Sequence, residues 1–197
     1  MEYRMPNNTA GEMLYDGKLW SSFQQSQQLW SDPKALTPSF FIQTELPVVD
    51  KKMLDALKDY AHEKKTDVRI CLHNSPSDNF QNMIILHRNS EYYRPHVHSK
   101  NGESYQLIEG ELGIFFFDDT GNIIDQLRLT FHDQIVARIP TNVCHAIYPI
   151  SNQVIFHESK LGPFIPDEDI FFPEWTPDRT NYNDIKTYKS TLQKACN

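Results

Sequence analysis

Apolar positions follow two different periods along the chain. From Met53 to Ala61 they recur at the spacing of a helix, while Lys and Asp fill the opposite face. Asp50 lies just before this stretch and is a suitable N-cap, because its carboxylate can accept backbone N–H groups of the first turn. The pattern predicts one helix over about 51–64.

After Val68 the chain changes to short runs rich in β-branched and aromatic residues, separated by polar turn signals such as residues 119–122. Evenly spaced short strands of this kind predict an antiparallel sandwich or barrel and not a βαβ fold. The predicted strands are QNMIILH, EYYRPHVH, SYQLIEG, ELGIFFFDD, IIDQLRL, QIVARI, HAIYPI and QVIFHE.

Residues 1–47 form a segment rich in Gln, Ser, Asn and Pro that also contains many aromatic side chains. A free tail would leave an exposed apolar patch, so we expect this N-terminal extension to pack on the main body or on a partner subunit. We favour the partner, which predicts a homodimer. The aromatic residues are Trp20, Phe23, Trp30, Phe40 and Phe41.

Charge and cysteine content limit the function classes. The formal net charge of −7 argues against a nucleic-acid partner, because polyanions attract basic surfaces. No apolar stretch is long enough to cross a bilayer, and residues 1–13 lack the apolar region of a secretory signal. Three scattered cysteines fit a reduced compartment. We therefore expect a cytoplasmic protein without a membrane or nucleic-acid partner.

The run RPHVHSKNGESYQLIEG carries the clearest chemistry in the chain. Side chains alternate faces in a strand, so His96 and His98 are expected to point the same way. The turn at residues 99–102 brings Glu103 beside them, and His145 begins a later predicted strand. Three imidazoles and one carboxylate suit one divalent ion, Zn, Fe, Mn, Ni or Co, with coordination positions left open.

These residues resemble the two motifs of the cupins. The first motif, HxHxxxxExxxxxxG, is complete, and the second, PxGxxH, has Asn in the glycine place, a residue that also tolerates a left-handed turn. The resemblance implies an all-β fold, the cupin double-stranded β-helix or jelly-roll barrel, with an N-terminal extension and one or two flanking helices. The matching residues are His96, His98, Glu103, Gly110, Pro140, Asn142 and His145.

Several longer phrases are similar to the WbuC family of cupin-fold metalloproteins. The similarity covers about residues 48–180, which we treat as the cupin domain, and leaves 181–197 as a C-terminal tail with a possible short helix. It implies a metabolic context of O-antigen or other surface polysaccharides and a sugar or nucleotide sugar as ligand, but no particular reaction. The phrases are RICLH, YYRPHVH, ESYQLIEGELG, FDDTG, RIP, HESKLGPF and EWTPD.

Two residues are candidates for proton transfer beside the ion. Glu158 is expected to act either as a general base or as a hydrogen-bonding partner of a ligand histidine. Tyr105 is either a proton donor or a packed strand residue. Tyr105 lies in the predicted strand within the first metal motif, and Glu158 ends the last predicted strand.

Five further residues are candidates for substrate binding. Arg94 shares the predicted inward face of His96, and it either grips a carboxylate or phosphate or forms an ion pair at the mouth of the barrel. Tyr92 either stacks on a sugar or packs in the fold. The family-like phrases contain Arg69, His73 and Lys160, which line the pocket or remain at the surface.

Three functions fit these patterns. The leading hypothesis is a metal-dependent enzyme, of the isomerase or epimerase kind, acting on a sugar or nucleotide sugar. An Fe(II) dioxygenase of a small metabolite uses a similar ligand set. A non-catalytic protein that binds a metal or a sugar is the third.

Overall fold

The structure is a computed structural model that describes residues 29–196. The predictions for Trp20 and Phe23 lie outside the described residues. The helices are α1 (Lys51–Lys64), α2 (Pro166–Asp169) and α3 (Tyr182–Ala195). The strands are β1 (Leu29–Ser31), β2 (Ser39–Ile42), β3 (Val68–Cys71), β4 (Phe80–Arg88), β5 (Val97–His98), β6 (Glu103–Glu109), β7 (Leu112–Phe117), β8 (Ile123–Leu129), β9 (Val136–Ile139), β10 (His145–Pro149), β11 (Gln153–Leu161) and β12 (Ile170–Phe171).

The strands form two sheets with jelly-roll connectivity. The large sheet has the order β1-β2-β3-β4-β11-β6-β9, and the small sheet has the order β10-β7-β8. Reciprocal backbone hydrogen bonds of 3.0 Å between His96 and His145 join the β5–β12 pair to β10. The eight consecutive strands from β4 to β11 are therefore divided between two four-stranded sheets. One has the order β4-β11-β6-β9 and the other has the order β5-β10-β7-β8. This is the double-stranded β-helix of the cupins, and it confirms the predicted fold class.

The core lies between the two sheets, as the alternation of apolar residues requires. Phe156 and Leu107 of the large sheet pack in one cluster with Ile114 and Ile147 of the small sheet. The outer face of the large sheet is covered by α1, and the outer face of the small sheet by α3. Asp50 caps α1 as predicted, since its carboxylate accepts the N–H of Met53 at 2.9 Å.

One parallel strand pair departs from the predicted antiparallel arrangement. Strand β2 runs parallel to β3, and α1 is the connection between them, so the chain does contain one βαβ unit. Parallel neighbours need such a crossover, because no tight turn can join them. Phe41 of β2 is buried and packs against Trp30, with ring centroids 5.1 Å apart. Residues 29–42 of the predicted extension therefore pack within the same chain.

The strand predicted for EYYRPHVH was wrong for most of its length. Regular pairing is confined to β5, at Val97 and His98, with one bridge at His96. Pro95 explains the difference, because it has no N–H to donate to a neighbouring strand. None of the helices among residues 29–196 has both the length and the apolar character that a membrane span needs.

Candidate metal centre

Four side chains from three strands meet at one end of the jelly roll. His96 and His98 lie on the β5 segment, Glu103 begins β6, and His145 begins β10. One ligand atom of each lies within 4.8 Å of all the others. Nε2 of His96 is 3.1 Å from Nε2 of His98, and Glu103 places its two carboxylate oxygens 2.8 Å from Nε2 of His145 and 3.2 Å from Nε2 of His98.

Local backbone geometry brings these residues together. Asn142, which occupies the glycine place of the second motif, adopts the left-handed conformation with φ of 61°. Its N–H donates to the carbonyl oxygen of His98 at 2.8 Å, which ties the turn before β10 to β5. The predicted tolerance of Asn for this turn is confirmed, and the turn delivers His145 opposite His96.

Each imidazole is oriented by a backbone carbonyl. Nδ1 of His96, His98 and His145 lies 3.0, 3.2 and 3.0 Å from the carbonyl oxygens of Arg94, Asp169 and Val143, respectively. A carbonyl oxygen can only accept, so each Nδ1 carries a proton. The neutral ring then has its lone pair on Nε2, and all three Nε2 atoms face the same point.

The donor set fits a divalent metal ion. Neighbouring ligand atoms lie 2.8–3.2 Å apart, and only a cation or added protons can satisfy the three Nε2 lone pairs that meet there. Two ligand atoms about 2.1 Å from one ion and about 90° apart lie about 3.0 Å from each other. The spacing of the four residues is therefore the spacing that one ion requires, and they can hold it.

Burial and charge shift the pKa values of the same groups. Burial lowers the pKa of His96 to about 3, so this ring is neutral at ordinary pH. Burial also opposes the charged form of His98, but the hydrogen bond and charge of Glu103 outweigh it and raise that pKa. Burial alone would raise the pKa of Glu103, yet His145, His98 and Lys160 hold it well below its usual value. Glu103 is an ionised carboxylate.

Tyr105 and Lys160 surround the Glu103 carboxylate. The Tyr105 hydroxyl donates to Oε1 of Glu103, and Nζ of Lys160 lies 3.8 Å from Oε2. Lys160 also pairs with Glu158 at 3.0 Å. Antiparallel pairing sets these neighbours, because β11 places Lys160 opposite Glu103 and Glu158 opposite Tyr105. The proton of Tyr105 is thus donated to Glu103. Glu158 lies opposite Tyr105 on the neighbouring strand β11.

Arg69 and His73 lie on the same wall of the large sheet. The N–H of Asn82 donates to Nδ1 of His73 at 3.0 Å, and Phe41 packs edge-on against the imidazole ring. Burial lowers the pKa of His73, and the charges of Arg69 and Lys160 act in the same direction. His73 is therefore held in a structural contact close to two cationic side chains.

Arg94 and Tyr92 are engaged by the C-terminal segment. The Arg94 guanidinium donates to the Thr176 hydroxyl at 2.8 Å and stacks over the Phe172 ring at 4.6 Å. Its Nη1 lies 3.9 Å from the Asp178 carboxylate, which matches the ion-pair alternative for this residue. The Tyr92 hydroxyl donates to the carbonyl of Pro177 at 2.8 Å. These contacts hold both side chains against the C-terminal segment.

Residues 161–172 pass beside the cluster, although the sequence identified none of them as a site residue. Asp169 supplies the carbonyl that orients His98, and Phe172 places its ring 6.3 Å from that of His96. No motif could have identified Asp169, because its contribution is a backbone oxygen brought in by the β12–β5 pairing. A small cleft reaches His98 and is lined by His98, Asn101, Lys160, Leu161, Phe164 and Asp169.

Comparison with known families gives one partial match. A family model described as a domain of unknown function (DUF6016) matches residues 49–129, which include His96, His98 and Glu103 but not His145. None of the curated proteins is similar to this chain in sequence. The similarity to the WbuC family stays a prediction from the sequence phrases.

Solved structures with partial likeness include several sugar-related proteins and cupins. CapF from Staphylococcus aureus, a capsular polysaccharide assembling protein, is 17% identical over 55% of this chain and 32% of its own, with a TM-score of 0.45. L-ribose isomerase from Cellulomonas parahominis is 14% identical over 54% and 69%, with a TM-score of 0.44.

A cupin superfamily protein from Desulfitobacterium hafniense is 20% identical over 49% of this chain and 77% of its own, with a TM-score of 0.39. The chain spans about a third of the length of CapF. Likenesses of this extent carry no function from one protein to another. The strand order establishes the cupin fold, and the chemistry has to be argued from the residues of this chain.

Proposed function

We propose that this protein binds one divalent metal ion through His96, His98, Glu103 and His145, and is a metal-dependent enzyme acting on a sugar or nucleotide sugar. The observation that carries the metal proposal is the orientation of the three imidazoles. Each has its Nδ1 proton directed to a carbonyl and its Nε2 lone pair directed to Glu103 or to another Nε2. Four protein ligands leave positions open for a substrate oxygen.

A bound divalent ion supplies a Lewis acid that polarises a carbonyl or hydroxyl oxygen of the substrate. Glu158 is the group best placed to move a proton beside it, since it lies opposite Tyr105 on the inner wall and pairs with Lys160. Lys160 keeps this carboxylate oriented between turnovers. Tyr105 acts differently, because its hydroxyl donates to Glu103 and so positions a metal ligand.

The sugar part of the proposal is supported by the phrases similar to the WbuC family, which imply surface-polysaccharide metabolism of the O-antigen type. An isomerase or epimerase reaction fits a metal with one neighbouring proton-transfer group. The Glu158 carboxylate, paired with Lys160 on the wall that carries Glu103, supports catalysis over passive binding.

The first experiment measures the metal itself. Protein purified without chelator or nickel affinity is analysed by elemental mass spectrometry, for the native chain and for His145→Ala and His132→Ala. His132 is an exposed histidine and serves as the matched control. We expect about one equivalent of metal in the native chain and in His132→Ala, and much less in His145→Ala, because loss of a direct ligand should weaken affinity by at least about 10-fold. Equal metal content in all three proteins would contradict the proposed ligand set.

The second experiment tests the reaction. Metal-loaded protein is incubated with a panel of nucleotide sugars in deuterated buffer, and deuterium incorporation at carbon is followed by mass spectrometry. Proton transfer by Glu158 predicts incorporation that is lost in Glu158→Gln while metal content stays normal. Oxygen consumption by anaerobically iron-loaded protein, without deuterium incorporation, would support the dioxygenase alternative instead.

A further inference from the structure

Arg69 is a charged residue on the inner wall of the jelly roll. Its neighbours in β3, Val68 and Ile70, face the outer layer under α1, so alternation turns Arg69 to the inside. The strand pairing agrees, because Arg69 lies opposite Ile85, and Ile85 lies opposite Phe156. Both of these neighbours belong to the interior core cluster.

The Arg69 guanidinium has almost no partner among residues 29–196. Its Nε is fully buried and makes no hydrogen bond, and its Nη1 only approaches the sulfur of Met83 at 3.8 Å. No carboxylate among the described residues forms an ion pair with it. The side chain as a whole is partly exposed, but a buried N–H group normally has an acceptor, because the loss of its hydration is otherwise uncompensated.

The approach of Nη1 to Met83 shows where the side chain extends. Met83 lies opposite both Cys71 and Glu158, one step closer to the metal cluster than Ile85. The positive charge of Arg69 also acts on Lys160 and His73. The unfilled donors of Arg69 are thus on the wall that carries Lys160, Glu158 and Glu103.

The charges on this wall leave an excess of positive charge once a metal is bound. Arg69 and Lys160 are balanced by Glu103 and Glu158 alone, and the three ligand imidazoles bind metal in their neutral form. A divalent ion therefore adds two positive charges that no described side chain of the interior neutralises. An enclosed site with this excess favours an anionic ligand.

We propose that Arg69 forms an oxyanion subsite that binds a carboxylate or phosphate group of the substrate while another oxygen of the same molecule reaches the metal. The inference rests on the proposed function for the position of the metal and narrows its substrate class to anionic sugars, such as sugar acids or sugar phosphates. A guanidinium suits this role, because its planar N–H groups match the oxygens of both anions.

Anion affinity of the full-length protein tests the subsite. Native chain, Arg69→Met and Arg128→Met are loaded with Co²⁺, and binding of inorganic phosphate and of acetate is measured by calorimetry at constant ionic strength, with chloride as reference. Arg128 is an exposed arginine of β8 and is the matched control. We expect about 10- to 100-fold weaker binding in Arg69→Met and less than about 2-fold change in Arg128→Met. Tighter binding of phosphate or of acetate identifies whether the subsite prefers a phosphate or a carboxylate group.

Two further measurements separate the subsite from other roles of Arg69. The Co²⁺ affinity is determined by chelator competition, and it should be the same in Arg69→Met as in the native chain. If the native chain does not bind Co²⁺ at all, the proposed metal site is wrong, and this result is distinct from a failure of the anion subsite. Without anion, Arg69→Met should unfold at the same or a higher temperature than the native chain, because a buried N–H group without an acceptor is removed. Arg69→Lys, which keeps the charge but loses the planar fork, should retain part of the affinity.

Native anion affinity in Arg69→Met, absence of any anion binding to the native protein, or a large loss of thermal stability in Arg69→Met would each overturn the subsite. The last outcome would mean that Arg69 has a structural partner.

Discussion

The Tyr105 hydroxyl illustrates how a residue that does not bind the metal can control the site. It lies in the core with its proton directed to Oε1 of Glu103. Burial and the charges of Glu103 and Glu158 raise the pKa of Tyr105 well above its ordinary value, so it stays protonated. A permanent donor at one carboxylate oxygen fixes the orientation that the metal requires.

Removal of this hydrogen-bond donor should weaken metal binding. Tyr105→Phe removes one oxygen and leaves the ring in place, so the fold should persist while the affinity for metal falls by about 10- to 100-fold. Competition with a chromogenic chelator measures this, and Tyr182→Phe, at an exposed tyrosine, provides the comparison. Unchanged metal affinity in Tyr105→Phe would assign the residue to packing alone.

The clustering of the four residues could be predicted from sequence, whereas the contacts that support them could not. Alternation along β5 is a local property, so His96 and His98 were expected on one face. The carbonyl of Asp169 beside His98 and the approach of Lys160 to Glu103 depend on which strands become neighbours. Such contacts join residues far apart in the chain, and composition gives no indication of them.

At the scale of elements, the turn between β6 and β7 shows why the first cupin motif ends in glycine. Gly110 ends the first cupin motif and has φ of 84°, a conformation that residues with a Cβ rarely adopt. A Cβ there would also lie 2.7 Å from the carbonyl oxygen of Gln153 and 2.5 Å from the Ser151 hydroxyl. The motif glycine is thus required by the backbone where the chain passes from the large sheet to the small one.

Substitution of Gly110 should therefore destabilise the fold. Gly110→Ala is expected to lower the free energy of unfolding by about 1–3 kcal/mol from the backbone conformation alone, with the close contacts adding to it. Urea unfolding followed by circular dichroism measures the change. Gly110→Asn is the informative comparison, because Asn tolerates positive φ but carries the same Cβ. A smaller loss than with Ala would assign the cost to the backbone conformation, and an equal or larger loss would assign it to the close contacts. Equal stability of Ala and Gly at this position would refute the argument.

Elements with a strong local pattern were predictable, and elements made by pairing were not. Helix α1 has both an amphipathic period and a capping carboxylate, so its sequence alone indicated it. The two-residue strands β5 and β12 have no pattern of their own and exist because their backbones meet. The parallel β2–β3 pair was missed for a similar reason, since SFFI is too short to reveal its partner.

For the whole molecule, metal binding and protonation should compete. The metal requires a neutral His98, but Glu103 raises the pKa of this residue, which favours the protonated form in the metal-free protein. The raised pKa stabilises the metal-free fold at low pH, and this contribution is lost as the pH rises. Metal-dependent stabilisation has the opposite trend. It should be largest near pH 8 and should shrink as the pH falls through the range above 6.5.

Thermal unfolding with and without metal between pH 8 and 5 measures this difference. The melting temperature of the metal-loaded protein should exceed that of the metal-free protein by an amount that decreases steadily toward pH 5. His132→Ala, which lacks an exposed histidine, should follow the native curve. A gap that stays constant over the whole range would exclude histidine ligation.

The last prediction concerns association of two chains. Aromatic residues 30, 40 and 41 pack within the same chain, so they no longer argue for a partner, but the opposite edge of the large sheet does. Strand β9 is that edge, and Ile135 and Val136 are 40% and 60% exposed there. Soluble proteins rarely leave an apolar edge strand uncovered, because its free N–H and C=O groups recruit another strand. We therefore keep the prediction of a homodimer and expect β9 to lie in its interface.

Light scattering on the full-length protein tests both parts of this prediction. The native chain should have twice the monomer mass, and Val136→Lys should shift it to the monomer by placing a charge on the edge. Ile124→Lys, at a residue that is 65% exposed on β8, controls for the added charge and should remain dimeric. A chain beginning at Leu29 separates the two possible interfaces, because it stays dimeric if β9 is responsible and becomes monomeric if residues 1–28 are. A monomeric native chain at concentrations of about 100 μM would reject the homodimer, since an interface of standard size associates well below that concentration.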